Sequence, residues 1–340
     1  MKLGALGDVV NAFPLASALK AQWPNARLTW IVEARLADLP RLHPDVDEVV
    51  TIDTRGWRAD MRQGRLSAAW SGVRGLARSV SGRFDVAVDA QGLLKSAAVA
   101  WLTRARVRAG FAPGDCRERG NAWAMTRHAA PVGAAHAVTK NLSLLAALGV
   151  RFGEPRFEFR VPTTDETWAA SVVHPGAPVI TIHPGAGHPG KRWPLERWVA
   201  LSERLSASGR RVVIVTGPED RAAVAKAVGT MASAPAVAAP STVGALAALL
   251  RRTAVAVGGD TGPLHLAAAL GRRTVGVYGP SDPVTAAPFG GRALVIKHAC
   301  ACGWRPAPSF NRRCAESFAC MRAIQVDEVV EAVEKQLVAG

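Results

Sequence analysis

Three short stretches bring together residue types that handle anions, protons and hydroxyl groups. Gly258-Gly259-Asp260-Thr261-Gly262-Pro263-Leu264-His265 is a glycine-rich turn after a strand-like run, leading straight into a helix with Pro263 in its first turn. The unpaired N–H groups of such a helix start suit a diphosphate, and Asp260, Thr261 and His265 add a carboxylate, a hydroxyl and an imidazole. A plainer reading makes Asp260 or Thr261 an N-cap and His265 a core or boundary residue, and the spacing fits both. Gly185-Ala186-Gly187-His188-Pro189-Gly190-Lys191-Arg192 ends a second glycine-rich turn in two cations, which suit a phosphate or, equally, a solvated loop. Gly4-Ala5-Leu6-Gly7-Asp8 offers one carboxylate on a flexible turn, and Asp8 fits two roles, general base or helix N-cap.

The second stretch also matches two nucleotide-binding patterns that its surroundings argue against. Gly185 to Gly190 has the G-x-G-x-x-G spacing of a dinucleotide site, but Pro189 sits where that site's helix would be running. The next helix begins only near Pro194, and the following strand ends in Thr216 without the usual ribose-binding acid. Gly185 through Lys191 also fits a P-loop, except that Arg192 stands in place of the magnesium-holding Ser or Thr. An NAD-dependent dehydrogenase and a magnesium-dependent nucleoside triphosphatase are both disfavoured.

The elements that must position these turns read as an α/β fold. Strand patterns cover Leu28 to Val32, Val49 to Ile52 and Phe84 to Val88 in the first half, with helical spacing from Val9 to Lys20 and from Asn141 to Leu148. Pro155, Pro162, Pro175 and Pro178 then punctuate a weakly patterned stretch that marks a domain boundary. A second series has strands at Val179 to His183, Arg211 to Thr216, Ala254 to Val257 and Thr274 to Tyr278. Its helices lie near Leu195 to Ala207, Glu219 to Val228, Val243 to Leu250 and Pro263 to Leu270. Domains of 1–160 and 161–325 are expected, followed by a helix within 326–340 that can pack on either. Two parallel-sheet domains facing each other would hold ligands in a cleft at the carboxyl ends of their strands.

Length and composition agree with that organisation. A chain of 340 residues suits about two domains, and 49% apolar with 20% charged residues describes a folded globular protein. The net charge is +15, carried by 34 Arg and only eight Lys. This fits phosphate or carboxylate partners, and fits a generally basic protein with solvated faces as well. No apolar run is long enough to span a bilayer, and residues 1–8 lack a secretory pattern, so a cytoplasmic location is expected. Cys116 stands alone, whereas Cys300, Cys302, Cys314 and Cys320 cluster; structural zinc is one use for them, although the paired C-x-x-C spacing is missing.

Taken together, several segments resemble glycosyltransferase family 9, the heptosyltransferases of bacterial lipopolysaccharide core assembly. They are Gly4 to Val10, Asp89-Ala90-Gln91-Gly92-Leu93-Leu94-Lys95-Ser96, His183 to Ala186, Lys191-Arg192-Trp193-Pro194, Thr216-Gly217-Pro218-Glu219, and Gly259 through His265. The Asp89 to Ser96 segment and Arg55-Gly56-Trp57-Arg58 are similar to members that add the first heptose to a Kdo-lipid A acceptor. The resemblance implies a GT-B architecture of two Rossmann-like domains facing a cleft, with metal-independent, inverting transfer from ADP-heptose and no cofactor. It implies Asp8 as general base and Lys191 as the cation on the donor diphosphate. Gly185, Ala186, Gly187, Thr216, Gly217, Glu219, Asp260, Thr261, Gly262 and His265 would complete the donor site. Gly7, Arg55, Arg58, Gln91, Lys95 and Arg117 would join Asp8 on the acceptor side, at the inner face of the inner membrane. Two features depart from the family pattern: Met1 falls inside the expected first strand, and Ala186-Gly187-His188 stands where hydroxyl residues are common. A related enzyme with another donor or acceptor, or a non-catalytic ADP-sugar-binding protein, is the alternative.

Overall fold

The computed structural model describes residues 1–133, 135–151, 153–174, 176–231, 234–299 and 318–338. The chain divides into two compact units, Met1–Phe159 and Arg160–Gly340. Each is an α/β unit built on parallel strands.

In the first unit, the helical pattern expected from Val9 to Lys20 is broken into α1 (Leu6–Val10) and α2 (Phe13–Gln22). Pro14 is the cause, because a proline starts a helix readily but its ring and missing N–H prevent it from continuing one. The chain continues through β1 (Thr29–Glu33), α3 (Asp38–Arg41), β2 (Glu48–Ile52), α4 (Thr54–Arg62) and α5 (Leu66–Val80). Then come β3 (Val86–Val88), α6 (Leu94–Leu102), β4 (Val107–Gly110), β5 (Arg127–His128) and α7 (Ala137–Leu142). The Asn141 to Leu148 pattern becomes the end of α7 followed by a 3₁₀ turn, closed by Gly149 in the left-handed region at φ 71°.

β1 pairs with β2, and β4 joins β3 to β5. Met1 to Leu3 runs between these two sheets: the Glu33 N–H donates to the Leu3 carbonyl at 3.1 Å, and the Ala90 N–H to the Met1 carbonyl at 3.0 Å. Beside them a cavity of about 710 Å³ is lined by Leu15 and Leu19 of α2, Trp30 of β1 and Val86 of β3.

α4 and α5 form a helical hairpin anchored at one end. Asp53 caps α4 by accepting from the Gly56 N–H at 2.8 Å. Trp57 packs with Leu76, Val80 and Ile52 in the core. Its ring fills the place of a side chain at Gly72, where a Cβ would lie 2.1 Å from the indole Nε1. Only glycine lets the two helices approach this closely.

The second unit opens with α8 (Thr163–Val172) and holds a sheet of β6 (Val179–His183), β7 (Arg211–Val215), β8 (Ala236–Ala238), β9 (Val255–Gly259), β10 (Arg273–Tyr278) and β11 (Ala293–Lys297). All pairings are parallel, in the order β11-β10-β9-β6-β7-β8. The central strands β6 and β9 are almost entirely buried, as expected of parallel strands covered on both faces. The helices between them are α9 (Leu195–Ala207), α10 (Arg221–Val228), α11 (Val243–Arg251), α12 (Gly262–Ala269) and α13 (Pro283–Ala286). Last come α14 (Ala319–Ala323) and α15 (Val326–Val338); α15 packs Val329 and Val333 against Trp198, Leu201 and Leu205 of α9.

Candidate functional site

Strand order in the second unit runs one way from β6 to β8 and the other way from β9 to β11. Open parallel sheets bind ligands at the carboxyl ends of their strands beside such a reversal. Both glycine-rich turns leave the sheet there, 184–191 after β6 and 260–261 after β9. Gly259 allows the turns to meet through bare backbone, since a Cβ on it would lie 3.1 Å from the Lys191 carbonyl oxygen. Trp193, 2% exposed, anchors the first turn in the core by donating from Nε1 to the Ile324 carbonyl at 3.1 Å.

Asp260 connects three segments. Its Oδ2 accepts from Ser281 Oγ at 2.5 Å and from the Lys191 ammonium, and its Oδ1 faces His265 Nε2 at 3.3 Å. Burial alone would raise the Asp260 pKa, but the His265 hydrogen bond and the Lys191 charge outweigh it and hold the carboxyl well below the usual carboxylate range. Asp260 therefore stays ionised and fixes the Lys191 cation beside the start of α12. Thr261 is the N-cap residue of that helix, with extended backbone, but its hydroxyl makes no capping bond. That hydroxyl and His265 Nδ1 are both buried without a partner among the described residues. The first-turn N–H groups of Gly262 and Leu264 have no acceptor within the helix. A fixed cation, a helix start and buried polar groups in one place have the chemistry that suits an anion.

Around Gly185 the structure brings in residues that the sequence reading passed over. His183 Nδ1 donates to the Val215 carbonyl at 2.9 Å, which leaves Nε2 as an acceptor. Burial lowers the His183 pKa and keeps the ring neutral. Asp220 reaches this turn and pairs with Arg192 at 3.3 Å, while Arg192 Nε donates to the Ala186 carbonyl at 3.2 Å. The neighbouring Glu219 is exposed, and Thr216 is buried with its hydroxyl unpaired among the described residues. A Cβ on Gly185 would lie 2.3 Å from Asp220 Oδ2, whereas one on Gly187 would meet nothing within 4 Å. Gly185→Ala must push the Asp220 carboxylate aside and weaken its pairing with Arg192, so it should lower the melting temperature by an amount equivalent to at most about 1 kcal/mol, and Gly187→Ala should leave it nearly unchanged. Differential scanning fluorimetry of the two variants side by side checks this; equal shifts would contradict the geometry.

In the first unit Asp8 is the third residue of α1, not its N-cap. Its Oδ2 accepts from the Ala5 N–H at 3.3 Å and lies 3.6 Å from Arg117. Gly7 is buried just before it. Gln91 holds the turn ahead of α1, its Oε1 accepting from the Leu3 N–H at 2.9 Å and the Gly4 N–H at 3.3 Å. Fully buried Asp89 shapes the Gln91 segment by accepting from the Gln91 N–H, Ser96 Oγ and Asn121 Nδ2, each within 2.8 Å. Lys95 is paired with Glu33 at 2.8 Å, and Thr54 donates to the same carboxylate. Burial opposes ionisation of Glu33, but these bonds prevail and lower its pKa. Arg55, next to Thr54, and Arg58, one turn along α4, are exposed.

The sequence profile of glycosyltransferase family 9 (heptosyltransferase) matches residues 73–317. The chain belongs to this family. The family match includes Lys191 and the whole Asp260 cluster; Asp8, Arg55 and Arg58 lie before it. Lipopolysaccharide heptosyltransferase 1 of Pseudomonas aeruginosa is 32% identical over 222 residues, 64% of this chain. The matched stretch spans 60% of that relative's length. The E. coli heptosyltransferase WaaC with ADP superposes with a TM-score of 0.80 at 22% identity, covering 98% of each chain. WaaC with ADP-2-deoxy-2-fluoro heptose gives 0.77 at 22% identity, with the same coverage. The fold is thus the GT-B type of family 9.

Family membership leaves the cysteines unassigned. Cys300, Cys302 and Cys314 lie outside the described residues, and Cys320 is buried in α14. Among the described residues no group of three or more His, Cys, Asp or Glu is arranged to hold a metal ion.

Proposed function

We propose that this protein transfers heptose from ADP-heptose to the Kdo-lipid A inner core of lipopolysaccharide, with inversion and without a metal ion. The observation that carries the reading is the Lys191 cation held by Asp260 beside the N-terminus of α12. That arrangement binds a diphosphate and stabilises it as a leaving group. ADP and an ADP-heptose analogue are the ligands named for two solved structures of the same fold.

In this reading Asp8 removes the proton of the acceptor hydroxyl, and the oxygen attacks the anomeric carbon of heptose. The bond to ADP breaks, its electron pair leaving on the β-phosphate oxygen, where Lys191 and the α12 N–H groups offset the charge. One displacement inverts the anomeric configuration. Residues 161–325 serve the nucleotide sugar, with Thr216, Gly217 and Glu219 toward the nucleotide; residues 1–160 serve the acceptor. Arg55, Arg58, Lys95, Gln91 and Arg117 hold the acceptor's phosphates and carboxylates. An acceptor of this class places the enzyme at the inner face of the inner membrane.

The test is ADP release from ADP-heptose, with and without Kdo-lipid A, by EDTA-treated protein. Acceptor-dependent release that survives EDTA is expected. Release indifferent to acceptor, or restored only by added metal, would overturn the proposal.

A further inference from the structure

The end of the α4–α5 hairpin away from Trp57 has a composition that the transfer reaction does not use. From Met61 to Arg74 the chain carries three Arg and no acid; Arg55 and Arg58, given to the acceptor above, lie outside this end. At the turn between the helices Gly64 adopts φ 73°, and the Leu66 N–H donates to the Gly64 carbonyl at 2.9 Å, which brings Met61 and Leu66 to the same tip. Leu66 and Trp70 are four residues apart and so share one face of α5, and Arg74 continues that face with its guanidinium 5.6 Å from the Trp70 ring. Met61, Leu66 and Trp70 are 51%, 66% and 58% exposed, although the same helix buries Leu76 and Val80 at its other end. Arg65 pairs with Asp60, whereas Arg62 and Arg74 are exposed and make no ion pair among the described residues.

An apolar tip collared by arginines matches one surface in both of its properties. Anionic headgroups attract the guanidinium groups, and the layer beneath them accepts an indole and short aliphatic chains. A nucleic acid would engage the arginines but give Met61 and Leu66 nothing to enter. No described helix is long and apolar enough to cross a membrane, so such a contact is peripheral. We propose that the free end of the α4–α5 hairpin docks on an anionic lipid bilayer, with Met61, Leu66 and Trp70 in the headgroup layer and Arg62 and Arg74 on lipid phosphates. The purpose of the docking rests on the lipid-linked acceptor proposed above, since it brings the enzyme to its substrate's surface; the docking itself needs no transfer.

Co-sedimentation of the full chain with phosphatidylcholine vesicles, with and without phosphatidylglycerol, tests this without any activity measurement. Binding to the anionic vesicles is expected, with little to phosphatidylcholine alone. The Met61→Ser/Leu66→Ser/Trp70→Ser variant should bind at least about tenfold more weakly, while its ADP affinity and melting temperature stay at wild-type values. Trp101 and Trp123 are exposed elsewhere on the first unit, at 66% and 92%, so the Trp101→Ser/Trp123→Ser variant controls for exposed tryptophan in general and should bind as the wild type does. The proposal is overturned if the wild type ignores anionic vesicles, if the hairpin variant binds them normally, or if only the control variant loses binding. Vesicle binding with no ADP release in the transfer assay would remove the proposed reaction and leave the docking standing.

Discussion

The Asp8→Ala variant should lose acceptor-dependent transfer by about 10²–10⁴-fold, the usual contribution of a general base, while its affinity for ADP changes no more than a few-fold. The structure supplies the competing explanation and the way to exclude it. Asp8 also supports α1 by accepting from the Ala5 N–H at 3.3 Å, so alanine removes both a base and a helix-start contact. Asn in its place keeps an oxygen for that contact but cannot take a proton. If Asp8 is the base, Asp8→Asn and Asp8→Ala fail alike; if it only steadies α1, Asp8→Asn stays close to wild type. The discriminating measurement is single-turnover transfer by both variants, with the melting temperature of each recorded. Full transfer by Asp8→Asn would remove Asp8 from the chemistry.

Lys191→Ala is the second change with a large expected effect, and it should act on turnover and donor affinity together. The variant loses the cation beside the α12 start, which in the proposed reaction serves the bound diphosphate and, more strongly, the departing one. A fall in kcat of about 10²–10³ is expected, the size typical of removing one such stabilising group, together with weaker ADP binding by calorimetry. Unchanged ADP affinity and turnover would refute the role. Stability should fall as well, by about 1–3 kcal/mol, because the poorly exposed Asp260 carboxylate keeps only His265 and Ser281 as partners among the described residues. The pH dependence has a definite sign. The folded-state carboxyl is held below its unfolded value, so the pairing stabilises fully above about pH 4 and is lost progressively as the pH falls further. The stability gap between wild type and Lys191→Ala should therefore narrow below about pH 4 and stay constant above it.

The two turns that carry this site were legible because their signals are local. Gly259 and Pro263 bracket a strand end and a helix start, and the strand-helix alternation around them shows a parallel sheet. Pro189 spoke against a dinucleotide-binding helix within its own stretch, and the structure has only a 3₁₀ turn there, with α9 starting at Leu195. The break between α1 and α2 was equally local, since Pro14 announces it, but the apolar spacing ran on past it and hid it.

Ser281 and Asp220 were not legible. Ser281 meets Asp260 from 21 residues away, off the end of a neighbouring strand. Asp220 and Glu219 are adjacent acids, and only the way the chain turns into α10 sends one toward Gly185 and leaves the other exposed. The hairpin shows the same limit: the sequence reading named no helix between Ile52 and Phe84, and Leu76 is buried while Leu66 is exposed because Trp57 anchors a single end of α5.

The sequence by itself determined the α/β class, the resemblance to family 9, and the residues most able to hold a diphosphate or take a proton. All of these depend on periodicity, glycine and proline placement and residue chemistry over a few neighbours. Only the tertiary structure decided that Asp260 holds Lys191, that Gln91 holds the turn before Asp8, and that Gly185 but not Gly187 lies against the Asp220 carboxylate. The physical reason is that those partners are brought together by strand order and register, which bring distant segments to one sheet end, and no local preference encodes that juxtaposition.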